Sequence, residues 1–165
     1  MTEILTYTSV QKKAVANLIL YIQNKEFEIP ITLDDQPDLK DIPSFYQKNN
    51  GNFWVASIDN IVVGTIGLLD IGNNRGALRK MFVNAAYRGK EYGIGQQLLD
   101  TLFTWARHKH YIEILLGTTE KFIAAQRFYE KNGFVEIKRE ELPTDFPIMK
   151  VDVKFYRWLV GSETP

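Results

Sequence analysis

The chain has 165 residues, 45% of them hydrophobic and 13% aromatic, which is enough for one well-buried domain and short for two. Its 20 basic and 20 acidic residues cancel, so there is no overall electrostatic attraction to nucleic acid or to an anionic membrane surface. The chain contains no cysteine, which excludes disulfides, thiolate metal sites and cysteine nucleophiles and fits a reducing cytoplasm. We therefore expect a single cytoplasmic domain over residues 1–165, with no metal, no nucleic-acid partner and no membrane partner.

The first third of the sequence predicts a strand, a helix and a long loop. Alternating apolar residues predict a strand over residues 3–7, and Ser9 can cap the amphipathic helix that follows. Residues 26–51 contain three prolines, so we expect irregular structure there, with at most a short helix near residues 42–47.

The rest of the sequence predicts strands alternating with two helices. Asp59 and Asn60 tolerate the positive φ of a tight hairpin turn, and residues 161–165 are predicted to be a frayed tail. Strands are predicted at residues 53–58, 61–69, 75–83, 111–118, 134–139 and 149–158, and helices at residues 95–108 and 119–132. This pattern indicates an α/β fold with a mixed sheet.

The most informative stretch is residues 81–99, MFVNAAYRGKEYGIGQQLL, where a strand leads through a basic, glycine-rich turn into a helix. Gly89, Gly93 and Gly95 allow the backbone to approach a ligand closely, and the first turn of a helix offers unpaired N–H groups and a positive dipole end. The turn is therefore predicted to bind phosphate.

Two common phosphate-binding motifs do not match this turn. A P-loop would end in Gly-Lys-Ser/Thr, but Gly95 is followed by Gln96 and Gln97. A dinucleotide-binding GxGxxG would need a third glycine where Leu98 stands, so an oxidoreductase-type nucleotide domain is a weaker alternative.

The stretch resembles the acetyl-CoA motif of the GNAT superfamily of N-acetyltransferases, in particular its bacterial single-domain members. That motif is a strand ending in valine, a short link containing YRG, a glycine-rich turn, and a helix with paired leucines in its first turns. Here Val83 ends the strand, residues 87–89 read YRG, and Leu98 and Leu99 follow the turn. Lys90 stands where the family has glutamine or arginine when the glycines are aligned.

A second motif further along the chain strengthens the resemblance. The family has a helix reading roughly N-x-x-A-x-x-x-Y-x-x-x-G-F, and residues 122–134 read FIAAQRFYEKNGF. Tyr129 and Gly133 match the pattern, whereas Phe122 stands in place of the asparagine. Two motifs in the right order are more specific than either alone.

The resemblance implies a GNAT-like mixed, mostly antiparallel sheet flanked by helices, with a splayed strand pair at the cofactor site. It implies an enzyme that moves an acetyl group directly from acetyl-CoA to a primary amine of a small molecule or peptide. Tyr129 is the expected acid for the leaving sulfur, because a phenol with a pKa of about 10 is protonated at neutral pH. The residues expected to contact acetyl-CoA are Phe82, Val83, Arg88, Gly89, Lys90, Glu91, Tyr92, Gly93, Ile94, Gly95 and Gln126.

The general base and the acceptor stay open at this point. Relatives often have a glutamate on the strand equivalent to residues 78–83, but this chain has Arg79 and Lys80 there, so we expect water to carry the amine proton away. The loop over residues 25–47 is acidic, which would suit a cationic amine, although a solvated loop would have the same composition. Its acids are Glu26, Glu28, Asp34, Asp35, Asp38 and Asp41.

Two further alternatives remain. The missing acid on the strand permits a non-catalytic acyl-CoA-binding or regulatory module that keeps the phosphate-binding turn. Exposed edges of the terminal strands permit either a monomer or a homodimer.

Overall fold

A computed structural model describes residues 1–161, so the predicted tail lies outside the described residues apart from Gly161. The strands are β1 (Thr2–Thr6), β2 (Asn52–Ile58), β3 (Ile61–Gly72), β4 (Arg75–Val83), β5 (Glu113–Thr118), β6 (Val135–Ile137) and β7 (Lys154–Leu159). The α-helices are α1 (Lys12–Tyr21), α2 (Pro37–Lys40), α3 (Ile42–Phe45), α4 (Ile94–His108) and α5 (Ile123–Lys131). Within residues 1–161, no helix combines the length and the apolar character needed to cross a membrane.

The seven strands form one open sheet in the order β1-β2-β3-β4-β5-β7-β6. All neighbouring pairs are antiparallel except β4 and β5, which run parallel. The connection from β4 to β5 is long and contains α4, as a crossover between parallel strands requires. The predicted mixed, mostly antiparallel sheet flanked by helices is confirmed.

Two tight hairpins set the register of the central strands. Asp59 and Asn60 have φ of 49° and 65°, and Asn73 and Asn74 have φ of 55° and 61°. Consecutive residues with positive φ form the turn whose twist matches paired strands, and Asn and Asp adopt that conformation at low cost. The second of these turns was missed from the sequence, so β3 runs on to Gly72 rather than ending at residue 69.

The core occupies both faces of the sheet because β2 is buried on both. Trp54 and Ala56 pack on one face against α4, while Phe53 and Val55 pack on the other against α1 and the segment up to Tyr46. Helix α4 buries apolar residues at helical spacing, namely Ile94, Leu98, Leu99, Leu102, Phe103 and Ala106. On β4 and β5, the face away from α4 packs in a third cluster around Phe146, so both faces of these central strands are covered.

The predicted strand over residues 149–158 is wrong in its first half. Residues 149–153 form a turn in which the Asp152 N–H donates to the Met149 carbonyl at 3.0 Å and the Met149 N–H donates to Asp152 Oδ2 at 2.9 Å. A side chain that satisfies nearby backbone groups competes with strand pairing. The strand therefore begins only at Lys154.

Candidate active site

The parallel strands β4 and β5 pair only at their first residues and then separate. The pairing runs from Arg75–Glu113 to Ala77–Leu115 and goes no further. Beyond it, residues of β4, β5 and α5 line a cavity of about 120 Å³. The gap between the separated ends is called the notch below, and it confirms the predicted splayed strand pair.

A bulge in β4 shapes the side of the notch. Lys80 has φ of 54°, the pairing with β3 shifts register here, and Thr65 Oγ1 donates to the Lys80 carbonyl at 2.7 Å. After the bulge, the Asn84 N–H donates to the Val63 carbonyl on β3 at 2.8 Å. Successive strand N–H groups alternate in direction, so the Val83 N–H points away from β3 and toward the notch.

Tyr129 is on the opposite side of the cavity from β4, carried by α5. Its ring is 6% exposed and packs edge-on against Phe134, with 5.5 Å between ring centroids. Within residues 1–161 its hydroxyl has no hydrogen-bond partner, and burial raises the pKa of Tyr129 further above its ordinary value. The phenol is therefore protonated throughout the physiological range, and its O–H is available to a ligand in the cavity.

The glycine-rich turn leads from the end of β4 into α4 as predicted. Gly89 and Gly93 have φ of 114° and 61°, and Gly93 is the N-cap of α4. The Gly93 N–H bonds the Gly89 carbonyl at 3.1 Å, which closes the turn. The N–H groups of the first turn of α4, starting at Ile94 and Gly95, face outward beyond this cap.

The side chains predicted to contact phosphate in the turn differ in whether they already have a protein partner. Arg88 is already paired, since its guanidinium holds both oxygens of Glu26 and its Nε donates to the Val83 carbonyl at 2.9 Å. Lys90 and Glu91 are exposed, and Tyr92 is 40% exposed. To bind a phosphate, Arg88 would therefore have to break its ion pair with Glu26 or contact both groups at once. Lys90 lies exposed at the surface of the turn.

Gln126 and Phe122 fill the start of α5. The Gln126 amide donates to the Thr119 carbonyl at 3.0 Å, and its oxygen accepts from Lys154 at 3.4 Å. Phe122 lines the cavity in place of the family's asparagine and packs against Phe27 and Phe82, with centroid distances of 4.9 and 6.2 Å. Gln126 thus has internal partners, and the wall of the notch beside Phe82 is aromatic.

A buried polar network lies behind the bulge, and sequence reasoning did not foresee it. Lys80 donates to Gln36 Oε1 at 2.5 Å and lies 3.7 Å from Asp38 Oδ2, which also accepts from the Tyr46 hydroxyl at 2.6 Å. Lys80 and Asp38 side chains are 8% and 2% exposed. Burial lowers the pKa of Lys80 to about 8, with Asp38 opposing that shift.

Two further charged residues line the cavity, Arg79 and Asp152. Asp152 was not predicted as a site residue from the sequence, because its position lay inside a predicted strand. Burial raises the pKa of Asp152, while the Met149 N–H and the charges of Arg79 and Lys80 oppose that shift. Asp152 is thus a carboxylate beside the notch with more basic character than an ordinary aspartate.

The six acids of the segment over residues 25–47 do not line the cavity. Asp38 faces Lys80, Glu26 holds Arg88, and Asp34 pairs with Lys40. Asp35 accepts from Thr32, and Asp41 accepts from Ser44 at the start of α3. Within residues 1–161, these six acids therefore form no acidic wall for a cationic amine at the notch.

A larger depression of about 600 Å³ lies elsewhere, on the outer side of α4. It is lined by Trp54, Asp100, Thr101, Thr104, Trp105, His108 and Lys109. None of these residues belongs to the glycine-rich turn or to the second motif. The notch is therefore the candidate active site.

Comparison with known proteins agrees with this geometry. The model of the acetyltransferase (GNAT) family matches residues 17–134, which is more than half of the chain. The chain belongs to the GNAT family. This assignment confirms the family resemblance inferred from the two motifs.

Solved structures and curated sequences provide similar proteins. A GNAT-family acetyltransferase from Staphylococcus aureus Mu50 is 43% identical, with a TM-score of 0.94 over 97% of this chain and 99% of that one. A putative streptothricin acetyltransferase from Bacillus anthracis str. Ames, solved in complex with acetyl coenzyme A, is 26% identical, with a TM-score of 0.56 over 70% of this chain and 66% of that one. An N-acetylaspartate synthetase from Xenopus tropicalis is 40% identical over 61% of this chain and 37% of its own length. The chain spans less than half the length of the first curated relatives that it matches.

Proposed function

We propose that this GNAT protein is an N-acetyltransferase that moves an acetyl group from acetyl-CoA to the primary amine of a small molecule. The carrying observation is the notch, which contains Tyr129 on the α5 side and whose strand β4 continues along the chain into the glycine-rich turn at the start of α4. The glycine-rich turn suits a pyrophosphate, and the notch suits a thioester. The acetyl-CoA complex of the Bacillus anthracis neighbour and the small acetylated product named for the Xenopus relative support the donor and the size of the acceptor.

Acetyl-CoA would bind along the turn and enter the notch. The first-turn N–H groups of α4, together with Lys90 and Arg88, would hold its phosphates. Phe82 and Phe122 would contact the pantetheine arm. Glu91 and Tyr92 in the same turn, and Gln126 near the start of α5, are also proposed to contact acetyl-CoA.

The chemistry then follows from the groups around the notch. The amine nitrogen attacks the thioester carbonyl carbon, and the Val83 N–H donates to the oxygen that becomes negatively charged. The carbon–sulfur bond breaks as the sulfur takes a proton from Tyr129. Asp152 accepts the extra proton of the nitrogen and returns it through solvent to the tyrosine, so acetyl-amine and CoA are released in balance.

The proposal also covers the extent of the domain, the cellular compartment and the oligomeric state. We propose one acetyltransferase domain over residues 1–165 in the cytoplasm, and the absence of cysteine supports a reducing compartment. The sheet has β1 and β6 at its edges, so a monomer and an edge-paired homodimer both stay open.

The test is thiol release from acetyl-CoA with a panel of small primary amines, with the acetylated product identified by mass. We expect turnover with at least one amine and a kcat about 100-fold lower in Tyr129→Phe, at unchanged acetyl-CoA affinity. Tyr21→Phe is the matched control, because Tyr21 is 64% exposed on α1. Tight acetyl-CoA binding without thiol release from any amine would instead indicate a non-catalytic acyl-CoA-binding module.

A further inference from the structure

We propose that the acceptor is a small amine that carries a carboxylate, as an amino acid does, and that Arg79 binds this carboxylate. This inference rests on the proposed acetyltransferase function and adds the chemical class of the acceptor and the residue that selects it.

The first observation is that Arg79 lines the cavity and interacts with Asp152 only at a distance longer than an ion pair. Within residues 1–161, no carboxylate lies at ion-pair distance from its guanidinium. Its contacts are the Met149 sulfur, 3.1 Å from Nη2, and the face of the Phe45 ring, 5.5 Å from Cζ. A guanidinium carries five N–H donors, so most of the hydrogen-bonding capacity of Arg79 is unused.

The second observation is that these contacts fix the direction of the guanidinium. The ring of Phe45 supports one face and the Met149 sulfur takes one edge. A planar fork held in this way loses little conformational entropy when it binds a carboxylate with two parallel hydrogen bonds. Other arginines near the centre of the sheet, Arg75 and Arg157, already have Glu113 as partner.

The third observation concerns the other charges around the cavity. Lys80 adds a positive charge beside Arg79, but Asp38 lies 3.7 Å behind it and neutralises it locally. Asp152 is the one acidic side chain among the residues that line the described cavity, and its charge interacts with that of Arg79 beyond ion-pair distance. A positive group and a negative group at separate points suit a ligand with a carboxylate at one end and an amine at the other.

The size of the cavity limits the distance between these two groups. It measures about 120 Å³, and sites for drug-sized ligands measure about 300–1,000 Å³. The carboxylate and the amine of the acceptor must therefore be only a few bonds apart. An α-amino acid meets this condition, while a polyamine does not supply the carboxylate.

The experiment compares free amino acids with their α-carboxamides as acceptors, in the wild type, Arg79→Gln and Arg79→Lys. The carboxamides have a more readily deprotonated amine, so without charge recognition they should react as well or better. We expect the wild type to prefer the free acids. Arg79→Gln should lower kcat/KM for them at least about tenfold, mainly through KM, and should leave the carboxamide rate and acetyl-CoA affinity unchanged.

Two variants separate recognition from structure and from general charge. Arg79→Lys keeps the charge without the planar fork, so it should restore only part of the preference. Arg127→Gln removes a positive charge from the exposed face of α5 and should change nothing. Equal rates for acids and carboxamides in the wild type, or an equal loss for both in Arg79→Gln, would overturn the proposal.

A binding measurement keeps this inference separate from the proposed function. Calorimetric titration of the amino acids into the CoA-bound protein should show binding to the wild type that weakens in Arg79→Gln. Carboxylate binding without turnover would leave the subsite standing and overturn the transferase proposal. Turnover with amines that lack a carboxylate, together with no binding of amino acids, would do the reverse.

Discussion

Tyr129 and Asp152 show how differently two residues of one site are visible from the sequence. Tyr129 belongs to a helix motif with local spacing, so the pattern predicts it. Asp152 lies in a turn that its own side chain stabilises, and only folding brings this turn to β5, where a Cβ on Gly117 would lie 2.6 Å from Asp152 Oδ2. Arg79 and Lys80 were noticed in the sequence because they replace the expected glutamate. Their roles could not be predicted, because these depend on the β4 bulge and on the residues packed behind it.

Replacing Asp152 by asparagine should remove the proton acceptor while keeping the turn. The asparagine oxygen can still accept from the Met149 N–H, so the fold should be retained. We expect kcat to fall about 100-fold in a thiol-release assay with unchanged acetyl-CoA affinity. Asp145→Asn, at an exposed position of the preceding loop, is the control. A rate within about twofold of the wild type would assign proton removal to water.

Lys80 should make the stability of the protein depend on pH in a predictable direction. Its pKa is lowered from 10.5 to about 8 by burial, so between these pH values the unfolded chain binds more protons than the folded one. The free energy of unfolding, relative to Lys80→Met, should therefore rise by up to about 3 kcal/mol as the pH increases from 8 to 10.5.

The measurement is urea unfolding at several pH values in that range. Lys13→Met, which removes an exposed lysine of α1, serves as the control and should show no such trend. A constant difference between wild type and Lys80→Met would mean that Lys80 is not a desolvated cation.

At the scale of elements, strong local sequence patterns predicted helices and strands well, whereas contacts between distant segments could not be predicted. Helix α4 begins one residue before its predicted start because its apolar spacing is regular. Residues 26–51 were predicted to be irregular with at most a short helix near residues 42–47, and α3 forms there. The prediction did not include the burial of Gln36 and Asp38 against Lys80. Contacts between distant segments leave no periodic signal, so the polar network beneath the bulge could not be inferred from the sequence.

The glycines at the start of α4 should differ in what they tolerate. Gly93 has φ of 61°, so Gly93→Ala should lower the free energy of unfolding by about 1–2 kcal/mol. Gly95 is inside the helix, and an added Cβ would make ordinary contacts, the nearest at 3.7 Å from Met81 Cε. Gly95→Ala should therefore leave stability unchanged or slightly higher in urea unfolding. Equal losses in the two variants would contradict the assigned turn geometry.

At the scale of the whole molecule, ligand binding should stabilise the fold by mass action. Acetyl-CoA at 100 times its Kd should raise the free energy of unfolding by about 2.7 kcal/mol, provided that it binds only the folded state. NAD should have no effect, because Leu98 replaces the third glycine of the dinucleotide motif. Thermal unfolding with each ligand checks this, and stabilisation by NAD instead of acetyl-CoA would favour the oxidoreductase-type alternative.

The most direct test of the central claim is a crystal structure of the protein with acetyl-CoA bound. We expect the pantetheine arm to enter between β4 and β5, with the thioester oxygen at the Val83 N–H and the sulfur facing the Tyr129 hydroxyl. A thioester outside the notch, for example in the depression on the outer side of α4, would contradict it.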